Sequence, residues 1–188
     1  MIGTFVTDRR VAPELGHRRW YDREVPKMTS KFDEPQQEPL FIAIKNDDPA
    51  MLKAYAQASA TIDHFREHLA RRVDGFCCAK LKFRDPDESE RLGKDRFVYL
   101  WLTSVHYHVP EQVFSGTFFE VPAELTKWHE VGERLAFEAD DIFDWMVLEN
   151  GHLHGGFTMR VAREGLPPEE RPKYDRFVGV SVYEPPPA

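Results

Sequence analysis

From Phe76 onward the chain is a series of short apolar runs cut by turn residues, and one long stretch ahead of them carries helical spacing. Two side-chain periods therefore divide the sequence, about 3.6 before Phe76 and about 2 after it. The helical stretch is Ala50 to Val73. Asp47 and Asp48 supply N-cap oxygens, and Pro49 follows where a missing N–H costs nothing. Met51, Leu52, Tyr55, Ala58, Ile62, Phe65 and Leu69 make one apolar face, and Gly75 is the expected stop.

The strands are expected at Phe76 to Phe83, Phe97 to Val109, Val113 to Val121, Arg134 to Glu138 and Phe143 to Leu148. A short apolar strand is also expected at Leu40 to Ile44. Asp85-Pro86-Asp87 and the charged residues up to Asp95 read as a solvated connection. Glu124 to His129 reads as a helical turn. Asn150-Gly151, between Phe143 to Leu148 and a further strand at Leu153 to Val161, is the strongest hairpin signal in the chain. A last strand is expected within Phe177 to Tyr183. One helix followed by hairpin-linked strands makes an α+β fold, a largely antiparallel sheet covered by one long helix, rather than alternating βαβ units. The expected organisation is an N-terminal arm or wrap over 1–39, a single domain over 40–184 and a Pro-rich tail over 185–188.

Composition limits the function. Hydrophobic residues are 41% and aromatics 13% of 188 residues, enough for a sizeable, aromatic-rich core. The net charge of −7, with no run of Lys and Arg, argues against a nucleic-acid partner. It suits a soluble protein, or one that meets a basic protein. Adjacent Cys77 and Cys78 point to opposite faces of a strand, so they read as reduced, buried thiols. With no signal peptide in Met1 to Arg10 and no apolar run long enough for a bilayer, the expected location is cytoplasmic.

Asp141-Ile142-Phe143-Asp144-Trp145-Met146, the polar Asn150-Gly151 hairpin and Gly156-Phe157-Thr158-Met159-Arg160 form one pattern. Upstream stand Phe114-Ser115-Gly116, Pro122, and Lys80 with Phe83. This resembles the YegJ-like bacterial domain-of-unknown-function family, number 2314, over roughly Gly75 to Val180. The resemblance implies a fold neighbourhood and carries no established chemistry. Members often hold a Glu-His pair before the position of Trp101, where this chain has Val98 and Tyr99. Any role of that pair is therefore missing here.

Candidate site residues are Asp141, Asp144, Trp145, Thr158 and Arg160. Close carboxylates could bind a cation or move a proton. The stronger reading is structural: Asp144 ties down the Gly155-Gly156 turn, or pairs with Arg160. His106 and His108 share one strand face, as do His152 and His154, and His64 and His68 stand one helical turn apart. These pairs make a metal site only where they converge, so no metal and no cofactor is assigned. A Gly-x-Ser-x-Gly elbow and a phosphate loop are absent. Trp101, Trp128, Trp145, Phe118 and Phe119 are core or groove candidates, and one of Phe118 and Phe119 must face outward. The leading functional expectation is a non-enzymatic protein-binding protein, in its narrowest form an immunity protein or antitoxin for a basic bacterial toxin. The alternatives are a small enzyme or ligand-binding domain using Asp144, Trp145, Thr158 and Arg160, and an accessory module of a larger assembly.

Overall fold

The computed structural model describes residues 48–71 and 74–186. The expected arm over 1–39 and the strand at Leu40 to Ile44 lie outside the described residues. Five helices and a mixed sheet follow one another: α1 (Pro49–Ala60), α2 (Ile62–Ala70), β1 (Phe76–Asp85), α3 (Pro86–Leu92), β2 (Arg96–His108), β3 (Val113–Phe118), β4 (Arg134–Phe137), β5 (Asp144–Glu149), β6 (His152–Gly155), α4 (Phe157–Gly165), α5 (Arg171–Val178) and β7 (Val182–Tyr183). The sheet order is β4-β3-β2-β1-β5-β6-β7. All neighbours are antiparallel except β6 and β7. The α+β class holds, with several helices in place of the one long helix expected to cover the sheet.

The expected long helix breaks at Thr61, which has φ −112° and ψ 16°. The Thr61 hydroxyl donates back to the Gln57 carbonyl at 2.8 Å, a bond that competes with helix continuation. The Trp145 indole then donates to the Ala58 carbonyl (3.2 Å) and to Thr61 Oγ1 (3.1 Å), at the place where an unbroken helix would continue its own ladder. The two helices bring Ala54, Ala58 and Phe65 onto Ala79, Leu81, Leu102, Trp145 and Val147 in one core. Phe65 stacks between Phe114 (5.9 Å) and Trp145 (5.2 Å).

Three further expectations are corrected. The connection at Asp85 to Asp95 contains α3: Asp85 accepts from the Glu88 N–H at 3.0 Å, Pro86 takes the first turn and Gly93 closes the helix at φ +64°. The strand at Leu153 to Val161 stops at Gly155, and α4 begins at Phe157. The strand at Phe177 to Tyr183 is the end of α5 followed by the two-residue β7. The Asn150-Gly151 hairpin is as expected, with both residues at positive φ (+51° and +82°) between β5 and β6.

Candidate functional site

Asp144 opens β5 opposite Lys80 of β1 and is 0% exposed. Gly155 and Gly156, at φ +67° and +61°, turn the chain out of β6 into α4. Gly156 stands at the N-cap of α4 and has no side chain to bond the first-turn amides. Asp144 supplies the missing cap from the neighbouring strand. Its Oδ1 accepts from the Trp145 N–H (2.8 Å) and the Phe157 N–H (3.1 Å). Its Oδ2 accepts from the Thr158 N–H and the Thr158 hydroxyl, both at 2.7 Å. A carboxylate at a helix N-terminus is also favoured by the helix dipole.

Lys80 Nζ donates to Thr158 Oγ1 at 3.3 Å and lies 5.7 Å from the Trp101 ring centre. The proton order is thus Lys80 to Thr158 to Asp144. Burial pushes the Asp144 carboxyl up to about 6, while the Thr158 bonds, the Lys80 charge and the Phe157 amide pull it back. Burial lowers the Lys80 ammonium, and the Asp144 charge opposes that. Asp144 is sealed, and its oxygens are occupied by cap donors. The arrangement holds a helix in place.

The profile of a family described as "uncharacterized protein conserved in bacteria (DUF2314)" matches residues 48–182. This chain belongs to that family. The matched region starts at Asp48, so the DUF2314 domain includes α1 and α2, ahead of the Gly75 at which the sequence resemblance begins. The chain is 27% identical over 148 residues to a Neisseria meningitidis serogroup B protein named for ankyrin repeats. The aligned part is 76% of this chain and 56% of that protein. The chain thus spans little more than half the length of this relative. No solved structure matches.

The other candidates of the DUF2314 domain disperse. Trp145 is 0% exposed, stacked on Phe65 and edge-on to Phe157 at 5.9 Å. Arg160 does not pair with Asp144. Its guanidinium donates to the carbonyls of Gly155 (2.9 Å), Leu153 (3.1 Å) and Glu184 (2.7 Å), which clamps β6 to the chain beyond β7. Asp141 is exposed and accepts from the Glu138 N–H at 2.9 Å within a short turn. Val98 and Tyr99 serve packing: Val98 borders the core, and Tyr99 meets Tyr55 (6.0 Å) and Phe143 (5.2 Å).

His106 and His108 stay apart from His152 and His154, because β1 and β5 separate β2 from β6. His108 meets the Ser115 hydroxyl at 2.9 Å, and His152 meets Glu184 at 2.6 Å. His106 pairs with Ser115 across the β2–β3 ladder. His64 lies 3.5 Å from Glu67. His154 and His68 do meet, with ring centres 4.4 Å apart. Among the described residues no group of three or more His, Cys, Asp and Glu could hold a metal ion. Burial raises the Cys77 thiol to about 11 and the Cys78 thiol to about 12, so neither is an activated nucleophile. Among the described residues no helix is long and apolar enough to cross a membrane. Of the residues around Asp144, sequence reasoning placed Lys80 in the family pattern but not in the candidate site. Its place opposite Asp144 is set by the β1–β5 register, which no local signal reveals.

Proposed function

We propose that this DUF2314 domain is a non-enzymatic protein-binding module for a basic protein partner. The observation that carries the reading is the segment between β3 and β4. Leu125 (1% exposed) and His129, stacked on Phe118 at 4.7 Å, anchor it to the core. It displays Phe119 (49% exposed), Trp128 (43%) and Val131 (66%). The Phe118 carbonyl accepts from the Gly132 N–H at 2.8 Å, which ties the two ends of the segment together. Glu120, Glu124 and Glu130 are exposed on the same segment, as is Lys127, whose ammonium lies 5.6 Å from the Trp128 ring centre and pairs with Asp87. Large apolar side chains held out by an ordered segment rich in exposed glutamates support the reading of a protein-binding face. The overall charge of −7 favours a basic partner.

In its narrowest form the partner is a basic toxin and the domain its immunity protein or antitoxin. The relative named for ankyrin repeats supports an accessory role within a larger recognition protein, since stacked repeats build extended binding surfaces. The sealed Asp144 weighs against the small-enzyme and ligand-binding reading.

The test is affinity purification of tagged protein from its native host, then reconstitution with the purified partner. The expected outcome is a basic protein at equal stoichiometry whose affinity falls about tenfold or more in Phe119→Ser/Trp128→Ala. Recovery of no stoichiometric partner would reject the reading.

A further inference from the structure

Two imidazoles meet across the boundary between α2 and β6. His68, in the last turn of α2, is 9% exposed, and its ring centre lies 4.4 Å from that of His154. It also lies 6.2 Å from the Trp145 ring. Arg71, which ends the same helix, sets the protonation of His68: its guanidinium donates to His68 Nδ1 at 2.7 Å. Arginine holds only donors, so that nitrogen carries a lone pair and the ring is neutral. A further proton on His68 has one place to go, the nitrogen that Arg71 occupies. Protonation therefore breaks this bond and turns two donors on each other, an imidazolium against a guanidinium, with His154 in contact.

The other charges around the pair do not offset this. Among the described residues, the groups that act on His68 are His154, Arg71 and His64, all bases. On α2, His64 has its own carboxylate, Glu67, at 3.5 Å. His152 of β6 is held by Glu184 at 2.6 Å. On β1 the row that contains His154 carries Cys77, across Val147, a neutral thiol. The dipole of α2 favours a cation at its C-terminus, a role that Arg71 already fills. Burial, then His154, Arg71 and His64, hold His68 at about 4 against an ordinary 6.5. Burial lowers His154 as well, with Glu184 and Glu149 opposing it and Arg71 and His152 adding to it. A released form takes up protons at the ordinary value, so acid favours release.

We propose that the His68–His154 contact is an acid-operated latch: proton uptake by the two imidazoles frees the last turn of α2, His68 to Arg71, from β6 while the sheet stays folded. The opening is local because the core contact of α2 is made one turn earlier. Phe65 is 0% exposed and stacks between Phe114 and Trp145. In the last turn Leu69 packs against the core and is only partly buried. The latch is separate from the binding segment between β3 and β4 and stands or falls without it.

The test follows imidazole resonances and amide hydrogen exchange of the full chain by NMR, from about pH 7.5 to about 4. Each proton taken up on release raises the opening by up to about tenfold per pH unit. Protection at His68 to Arg71, corrected for intrinsic exchange, is expected to fall about tenfold or more over this range. His68 and His154 titrate together with that fall, and the amides of β1 and β5 keep their protection. His154→Gln, at a partly exposed position, makes the pH dependence shallower, and His68→Gln/His154→Gln abolishes it. The wild-type titration is decisive without the variants. Titration of both rings with full protection at the helix end would overturn the latch. So would loss of protection in the sheet at the same midpoint, which is global unfolding, or an unchanged pH profile in His154→Gln.

Discussion

At Asp144 one side chain settles a helix start, and its ionisation is coupled to stability. Its carboxyl stands at about 6 in the fold against an ordinary 3.8, because burial outweighs the cap bonds and Lys80. A folded value above the unfolded one means that the folded state holds the proton more tightly. The associated stabilisation is complete below the unfolded value and lost as pH rises through about 6. The stability gap between wild type and Asp144→Asn therefore narrows as pH rises from about 4 to about 6. At neutral pH the variant remains about 2–4 kcal/mol less stable, since its amide NH₂ would face the Phe157 and Thr158 donors. Urea melts at stepped pH measure both, and a gap independent of pH would refute the first. His68 has the opposite sign. Burial, then His154, Arg71 and His64, depress it from 6.5 to about 4. Its stabilisation is present above 6.5 and lost as pH falls through about 4, so wild type loses more stability over that window than His68→Gln does.

Among the elements, α4 depends most on residues distant in sequence. A Cβ on Gly155 would stand 2.3 Å from the Trp145 carbonyl oxygen and 2.7 Å from the indole, at φ +67°. Gly155→Ala should therefore cost about 2–4 kcal/mol or prevent folding, read as a fall in melting temperature with loss of Trp145 burial in fluorescence. The alternation of Phe157, Met159 and Val161 imitates a strand, and the carboxylate that caps α4 lies 12 residues before Gly156, so no local start signal exists. The start and stop of α3 are legible: Asp85, Pro86, Glu88 and Gly93 stand at cap, first turn and stop. The same Asp-Pro-Asp also opens turns, and seven residues are too few for periodicity to decide. The break at Thr61 between α1 and α2 joins a local bond, from its hydroxyl to the Gln57 carbonyl, to a distant one, from an indole 84 residues away.

For the whole molecule, charge acts over a longer range than any single contact. With net charge −7, association with the proposed basic partner should slow about tenfold or more between low and physiological salt, with little change in dissociation rate. Stopped-flow or surface-capture kinetics at stepped ionic strength measure this. A salt-independent on-rate would remove electrostatic capture from the functional reading.

Local patterning alone determined the α+β class, the hairpin at Asn150-Gly151, most of the strands and the start of α1, because alternation, turn chemistry and capping are written within a few residues. Local patterning also showed that Phe118 and Phe119 point opposite ways. Tertiary structure decided which of them is buried, where the first helix breaks, that Lys80 and Thr158 attend Asp144 while Arg160 does not, and where β1 and β2 part. Each of those outcomes depends on strand register or on a hydrogen bond between distant segments. A single-residue change of register would move the strand residues among them, Lys80 and Phe118, to the other face.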